Sequence, residues 1–168
     1  MIDPVQKPGI AIDIPGFGPR LIRTIISDYT GTLSRRGKLS PGVESRLVRL
    51  QKLVDVKIVT ADTYGTAARQ IKTITAPYFL KLASGHDKEK RDFARKLDLR
   101  HVAAFGNGNN DRLLLRAVKS AGGFAIAVDN GEGVALDAFL AANIFISGAA
   151  NALDLLLNPN ALKATLRS

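Results

Sequence analysis

Short runs of apolar, often β-branched residues alternate along the chain with segments whose apolar residues recur every three or four positions. The first pattern is typical of buried strands, and the second is typical of amphipathic helices. The predicted strands cover residues 21–27, 55–60, 78–82, 101–105, 124–128 and 144–147. Helices are predicted to begin at Pro41, with Ser40 as the N-cap, to cover residues 64–71, 87–97, 111–119, 134–141 and 149–157, and to form at the C-terminus.

Strands separated by helices of this size favour a parallel sheet covered on both faces. We therefore predict an α/β fold, a three-layer Rossmann-like parallel sheet with helices on both faces. Residues 9–14 alternate in polarity, and turn-forming residues 15–19 follow them. This predicts an N-terminal β-hairpin with residues 21–27 at the edge of the sheet. No repeat or linker interrupts residues 1–168, which we interpret as one domain.

The amino-acid composition excludes several kinds of site and argues against a membrane span. The chain has no cysteine, which excludes disulfides and thiolate metal sites, and its two histidines, His86 and His101, lie far apart in sequence. The most apolar region, residues 133–157, is interrupted by polar residues, whereas a membrane span needs roughly 20 mostly apolar residues. No signal peptide is visible at the start of the chain. We expect a soluble, cytoplasmic protein with no membrane partner.

The net charge of +9 is spread unevenly. Residues 1–120 carry 22 Lys and Arg against 11 Asp and Glu, whereas residues 121–158 carry no Lys or Arg and four acidic residues. A basic surface attracts phosphorylated ligands or nucleic acid. Because no aromatic-rich basic motif accompanies the charge, we favour an ordinary solvated surface over a nucleic-acid site.

Four polar segments follow predicted strands or begin predicted helices. They are residues 28–32 (Asp-Tyr-Thr-Gly-Thr), 60–67 (Thr-Ala-Asp-Thr-Tyr-Gly-Thr-Ala), 86–90 (His-Asp-Lys-Glu-Lys) and 105–111 (Phe-Gly-Asn-Gly-Asn-Asn-Asp). The carboxyl ends of parallel strands lie at one edge of a sheet, where α/β proteins bind ligands. We therefore expect the four segments to meet there.

The residue types in these segments suit a phosphoryl group. Asp28 is a candidate nucleophile, and the Thr60 hydroxyl and the Ala61 N–H are candidate donors to phosphoryl oxygens. Lys88 is a candidate source of positive charge. Asp28, the carbonyl of Thr30, Asn107 and Asp111 offer the hard oxygen ligands that Mg²⁺ requires.

Each of these residues also has a structural interpretation. Thr60 would cap the following helix, Lys88 would be an ordinary surface lysine, and residues 106–111 would form a tight turn and a helix cap. The order of the four segments, and their placement at predicted strand ends, favours the functional interpretation.

The four segments resemble the four motifs of the haloacid dehalogenase (HAD) superfamily, and within it they are most similar to the catalytic domains of P-type ATPases. Those domains carry Asp-Lys-Thr-Gly-Thr, Thr-Gly-Asp-x-x-Gly-Thr-Ala, a lysine that opens a helix, and Gly-Asp-Gly-x-Asn-Asp. The resemblance covers residues 21–147. The short chain looks like the soluble, P-type-ATPase-like branch known in archaea and bacteria.

The resemblance implies a phosphatase that uses Mg²⁺ as its cofactor. Asp28 becomes transiently phosphorylated, and Thr60 and Lys88 hold the phosphoryl group. Lys90 is the alternative to Lys88 in that role. The resemblance also implies supporting roles for two further motif positions, Asp62 and Asn110.

Two residues depart from the pattern. Thr30 stands where phosphatases of the superfamily usually have a second Asp as general acid and base, which predicts slow turnover of substrates whose leaving group needs a proton. Asn107 stands where the family usually has an Asp, which predicts weaker metal binding.

The intervals between motifs leave no room for a cap domain. We therefore expect an open site that accepts a phosphorylated small molecule or macromolecule, or a site closed by a second subunit of a homo-oligomer. The alternative function is a catalytically weak or regulatory relative that binds phosphorylated ligands or nucleic acid through its basic face. Ion transport is excluded unless a partner protein supplies a membrane segment.

Overall fold

The computed structural model describes residues 7–72, 74, 77–83 and 87–168. Its strands are β1 (Ile10–Ile14), β2 (Gly18–Ile22), β3 (Thr24–Ser27), β4 (Ser34–Arg35), β5 (Lys38–Leu39), β6 (Asp55–Thr60), β7 (Tyr78–Lys81), β8 (Val102–Gly106), β9 (Phe124–Asp129) and β10 (Ile144–Ser147). Its α-helices are α1 (Val43–Gln51), α2 (Ala67–Ile71), α3 (Asp87–Ala94), α4 (Arg112–Ser120), α5 (Leu136–Ala141), α6 (Ala149–Leu157) and α7 (Pro159–Leu166). Single 3₁₀ turns cover Leu99–His101 and Asn109–Asp111.

The central sheet has six parallel strands in the order β10-β9-β8-β3-β6-β7. β3 is an inner strand, and its last residue, Ser27, is in register with Phe105 of β8 and Ile58 of β6. β8 is buried along its whole length, as expected for a parallel strand covered on both faces. The chain segments that follow β3, β6 and β8 therefore emerge side by side at one edge of the sheet.

Two hydrophobic clusters cover the two faces of the sheet. One contains the buried faces of α1, α2, α6 and α7 together with β1, and the other contains those of α3, α4 and α5. This arrangement confirms the predicted three-layer α/β fold, and the described part of the chain contains no cap domain inserted between its motifs. No helix in the described ranges is both long and apolar enough to cross a bilayer.

The predicted N-terminal hairpin is confirmed, but its position differs from the prediction. β1 pairs with β2 in a separate two-stranded sheet, and β1 packs against α7 rather than at the edge of the central sheet. The predicted strand 21–27 is two strands, because Arg23 leaves the hairpin. Its N–H donates to the carbonyl of His101 (2.8 Å), and its carbonyl accepts from the N–H of Asp55 (2.9 Å).

Helix boundaries shift where local hydrogen bonds decide them. The helix predicted over residues 64–71 begins at Ala67, because Oδ1 of Asp62 accepts the N–H groups of Thr66 and Ala67. α1 begins at Val43, after Gly42, whose φ of 76° suits glycine, and not at Pro41 as predicted. His86, the first residue of the third polar segment, lies outside the described residues.

Candidate active site

Asp28 is the first residue after β3 and lies at the carboxyl edge of the sheet. Its N–H donates to the carbonyl of Phe105 (3.0 Å), which ties it to the end of β8. The residue is only 3% exposed. Its Oδ1 lies 3.0 Å from Nζ of Lys90 as an ion pair, but this oxygen accepts no aligned hydrogen bond from the described residues. One buried carboxylate oxygen therefore has unused hydrogen-bonding capacity.

Lys90 of α3, and not the expected Lys88, reaches Asp28. Its fully buried Nζ also lies 2.7 Å from Oδ1 of Asp111, so one ammonium bridges two carboxylates. Lys88 is exposed on the same helix. The physical reason is the phase of the helix: Lys90 lies one turn before the buried Ala94, on the face that packs inward, whereas Lys88 lies on another face. The structure therefore places Lys90, the alternative lysine, beside Asp28, and it places Lys88 on the exposed side of the helix.

The three charges affect one another because they lie out of contact with water. Burial raises the pKa of Asp28 to about 6, since the favourable charge of Lys90 only partly offsets burial, and the negative charge of Asp111 adds to it. Burial alone would lower the pKa of Lys90, but the charges of Asp111 and Asp28 raise it above its ordinary value. Lys90 is therefore charged at neutral pH, and the group retains one excess negative charge when both carboxylates are ionised.

Asp111 organises the fourth segment. Its Oδ2 accepts the N–H groups of Asn107 (2.9 Å) and Gly108 (3.0 Å), while its Oδ1 faces Lys90. The backbone of Gly106 passes so close that a Cβ there would lie 2.5 Å from Cγ of Asp111, so this position requires glycine. Both oxygens of the expected metal ligand Asp111 thus already have partners. Asn110 lies in the same turn and is half-buried.

The second segment follows β6, beside Asp28. Thr60 is fully buried, and its Oγ1 accepts the N–H of Asp62 (3.1 Å), which leaves the hydroxyl proton available for another acceptor. Ala61 is half-buried between them. Asp62 adopts a left-handed conformation (φ 54°) and caps α2 through its side chain. The turn thus places Thr60 and Ala61 at the sheet edge, and the hydrogen bonds of Asp62 to the start of α2 hold the turn in this conformation.

The first and fourth segments are joined by side chains. Oδ1 of Asn107 accepts the hydroxyl of Thr32 (3.2 Å), and its Nδ2 donates to the carbonyl of Gly133 (3.1 Å). Gly31 has a φ of 75°, and a Cβ there would collide with the side-chain amide of Asn107, so glycine is required for this approach. Oγ1 of Thr30 is buried without a hydrogen-bond partner among the described residues.

The hairpin formed by β4 and β5 is held in place by contacts between residues that are distant in the chain. The carbonyl of Gly37, at its tip, accepts the hydroxyl of Thr66 (2.5 Å). Oε1 of Glu132 accepts both the N–H of Arg36 (2.9 Å) and the hydroxyl of Tyr64 (3.1 Å). Glu132 therefore fastens the hairpin to the loops that follow β6 and β9. These partners are 68 and 96 residues from Glu132 in the chain, so no local pattern could have revealed them.

The sequence of the chain is similar to that of one archaeal protein. An uncharacterized protein of the archaeon Methanocaldococcus jannaschii is 44% identical over 66 residues, which are 39% of this chain and 67% of that protein. The chain belongs to the family of this archaeal protein. No protein-family model matches the chain.

Solved structures show the wider fold. The cobalt-bound deoxy-D-mannose-octulosonate 8-phosphate phosphatase of Haemophilus influenzae superposes with a TM-score of 0.66 at 14% identity, covering 88% of this chain and 94% of that one. The corresponding phosphatase of Moraxella catarrhalis, in complex with magnesium, phosphate and KDO, gives 0.60 at 16% identity over 87% and 94%. A HAD-family hydrolase of Streptomyces avermitilis gives 0.62 at 16% identity over 89% and 91%. The chain therefore has the HAD fold.

Proposed function

We propose that the protein is a Mg²⁺-dependent phosphohydrolase that acts through an aspartyl-phosphate at Asp28. The observation that carries this proposal is the Asp28 carboxylate itself. It lies at the carboxyl edge of the sheet, it is ion-paired with the buried Lys90, and its Oδ1 has no aligned hydrogen bond from the described residues. A carboxylate that is buried beside a lysine, with a raised pKa, at the edge where α/β proteins bind ligands is typical of a functional site.

The reaction consists of two displacements at phosphorus. A carboxylate oxygen of Asp28 forms a bond to phosphorus while the bond from phosphorus to the leaving oxygen breaks, and the leaving group departs with that electron pair. Water then attacks phosphorus, the bond between phosphorus and the Asp28 oxygen breaks, and the proton of the water passes to solvent. The products are inorganic phosphate and the original carboxylate.

The neighbouring residues orient the reacting groups. Lys90 holds the side chain of Asp28 and offsets its charge as a phosphate approaches. The Thr60 hydroxyl, which accepts the N–H of Asp62 and keeps its own proton, would donate to a phosphoryl oxygen, and the N–H of Ala61 would donate to another. Asp111 acts as a positioning residue, since its two oxygens fix Lys90 and the loop at Asn107.

The oxygen atoms around Asp28 fit a magnesium ion. The described residues contain no cluster of three or more His, Asp or Glu side chains, but Mg²⁺ typically uses only one or two carboxylates together with water and substrate phosphate. Asp28, the carbonyl of Thr30 and the amide oxygen of Asn107 would hold it, with Asp111 behind them. When bound, the ion supplies positive charge beside the phosphoryl oxygens. The phosphatase of Moraxella catarrhalis, which has the same fold, forms a complex with magnesium and phosphate.

Thr30 limits which phosphate esters the protein hydrolyses well, and Asn107 lowers its affinity for metal. No carboxyl group stands at position 30 to protonate a leaving group, so aryl and acyl phosphates are better substrates than alkyl phosphates. The motif resemblance supports the P-type-ATPase-like branch of the superfamily, and the phosphatases of similar fold act on a small phosphorylated sugar acid. We therefore propose a phosphorylated small molecule, or a phosphorylated macromolecule that reaches the uncapped edge, as substrate.

Hydrolysis of p-nitrophenyl phosphate tests the proposal. Wild-type protein with Mg²⁺ is expected to release p-nitrophenol, and EDTA or the variant Asp28→Asn is expected to abolish release. Acid-quenched wild-type protein should carry a hydroxylamine-sensitive phosphate on Asp28. Asp13→Asn, at an exposed position on β1, is the matched control and should remain active. Equal activity of the Asp28→Asn variant would contradict the proposal.

Thr30 and Asn107, the two residues that depart from the motif pattern, also favour a second candidate function. This candidate is a regulatory protein that binds phosphorylated ligands and turns them over weakly. Thr30 removes the acid–base group, and Asn107 removes one negative charge from the metal site. Calorimetric titration with inorganic phosphate and Mg²⁺ separates the candidates. Tight binding without p-nitrophenyl phosphate turnover favours the regulatory protein.

A further inference from the structure

An uncovered apolar surface lies on α5 and β10, which we call the α5–β10 surface. It consists of Leu136 (78% exposed), Phe139 (45%), Leu140 (70%) and Phe145 (47%). The rings of Phe139 and Phe145 are in contact, with centroids 5.5 Å apart, so the helix and the strand form one continuous surface. Three of these residues follow i, i+3, i+4 spacing on α5, while the opposite face of the helix is buried. A helix that is apolar on both faces is normally covered on both.

The two edge strands of the central sheet differ in the features that discourage pairing with another chain. The edge strand β7 ends in the exposed Lys81, and Lys57 of the adjacent β6 lies over the ring of Tyr78. Lysine at an edge discourages pairing with another chain. The opposite edge strand, β10, has the sequence Ile-Phe-Ile-Ser and contains no charge and no proline. The outer edge of β10 therefore carries neither of these features that discourage pairing with another strand.

The distribution of charge favours a second copy of the chain as the occupant of this surface. The chain carries +9 overall, yet residues 121–158 contain no lysine or arginine. The acidic residue of α5, Asp137, lies 3.3 Å from the guanidinium of Arg112 and is thereby neutralised. Two copies of such a basic protein repel each other over most orientations. At the α5–β10 surface the neighbouring cations of α4 already have partners: Arg112 pairs with Asp87 and Asp137, and Lys119 donates to the carbonyl of Ala142. Two copies therefore meet at this surface with less repulsion than elsewhere.

We propose that a second copy of this chain docks on the α5–β10 surface and forms a twofold-symmetric dimer. A twofold axis beside β10 pairs the two edge strands antiparallel, and it brings Leu136 and Leu140 of both copies into one apolar contact. This proposal does not depend on the catalytic proposal, because the α5–β10 surface contains none of the residues assigned to the reaction.

Light scattering after gel filtration of the full chain tests the dimer. Wild type is expected to have the mass of two chains. Leu140→Lys and Leu140→Glu, at a position exposed enough to leave folding intact, are each expected to have the mass of one chain. An equimolar mixture of the two variants should recover the mass of two, because opposite charges then meet. Tyr78→Glu, on the other edge strand at 47% exposure, is the matched control and should stay dimeric.

Hydrogen exchange provides a second measurement. The amides of β10 are expected to exchange more slowly in wild type than in the Leu140→Lys variant, while the amides of β8 are unchanged. A wild type that remains monomeric at its highest soluble concentration overturns the proposal. A dimer that persists in both Leu140 variants also overturns it. If a monomeric wild type instead floats with phosphatidylcholine vesicles, the surface binds lipid and the proposal is wrong.

Discussion

The ammonium group of Lys90 lies 3.0 Å from a carboxylate oxygen of Asp28, and both side chains are almost completely buried. Bringing two charges into a protein interior costs free energy, which their attraction recovers only when the pair stays intact. Here a second carboxylate, Asp111, shares the same ammonium. The position of the proposed nucleophile thus depends on a lysine that lies far along the chain, on a different element of the fold.

Removal of Lys90 should destabilise the protein strongly. Lys90→Met leaves Asp28 and Asp111 buried together without a cation, and we expect the free energy of unfolding to fall by about 3–5 kcal/mol. Lys88→Met, two residues away and exposed, is the matched control and should change it by less than about 0.5 kcal/mol. Urea denaturation followed by circular dichroism measures both. Equal effects of the two substitutions would mean that the buried ion pair is unimportant.

Neutralising Asp28 should increase stability while abolishing activity. The pKa of Asp28 rises from 3.8 to about 6 on folding, so the folded protein binds this proton more tightly than the unfolded chain does. The resulting stabilisation is complete below pH 3.8 and is lost as the pH rises through about 6. Above that pH the ionised carboxylate costs about 3 kcal/mol relative to an ordinary one.

The measurement is the difference in free energy of unfolding between Asp28→Asn and wild type, in buffer without divalent cations. Asparagine does not titrate, so the variant should gain stability relative to wild type as the pH is raised from 3.8 to about 6. Asp13→Asn again serves as the exposed control. A difference that stays constant over this range would show that the pKa of Asp28 is not raised.

Introducing a carboxyl group at position 30 should restore general acid catalysis. Thr30 lies two residues after Asp28, and its buried hydroxyl has no hydrogen-bond partner among the described residues, so replacing it breaks no such bond. Thr30→Asp is expected to raise kcat/KM for an alkyl phosphate by up to about 10²-fold, with a much smaller effect on p-nitrophenyl phosphate, whose leaving group needs no proton. An equal change for both substrates would argue against this role.

Asn107→Asp should increase the affinity of the site for Mg²⁺. The substitution adds a negative charge beside Asp28, and changes around a metal typically alter its affinity by about 10–100-fold. We expect the Mg²⁺ concentration for half-maximal activity to fall by about 10-fold. The same substitution loses the bond from Nδ2 to Gly133, which should cost about 1 kcal/mol of stability. An unchanged Mg²⁺ titration would remove Asn107 from the metal site.

The fold could be predicted well where a single physical signal dominates. β6, β10 and α6 begin and end where the sequence predicts. For β10 and α6 the reason is an apolar run between turn-forming residues, and for β6 it is the short β-branched run that ends at Thr60. The break at Arg23 could not be predicted, since it depends on hydrogen bonds to His101 and Asp55 elsewhere in the chain. The late start of α2 depends likewise on the side chain of Asp62.

The candidate site could be located from its four segments, but its contacts could not. The i, i+4 relation between Lys90 and the apolar Ala94 is a sequence signal that favours Lys90 over Lys88 as the lysine on the inward face. The engagement of both Asp111 oxygens by other groups appears only in three dimensions, because it depends on the path of the loop at Gly106. Glu132 had no sequence signal of any kind.

The burial of Lys90 has a practical consequence for work with this protein. Reagents that biotinylate or fluorescently tag amines require contact with solvent, and the side chain of Lys90 has no exposed area, whereas Lys88 is exposed. Tagging through surface lysines therefore leaves the buried ammonium untouched. A preparation in which Lys90 does become tagged is one in which the polypeptide has opened.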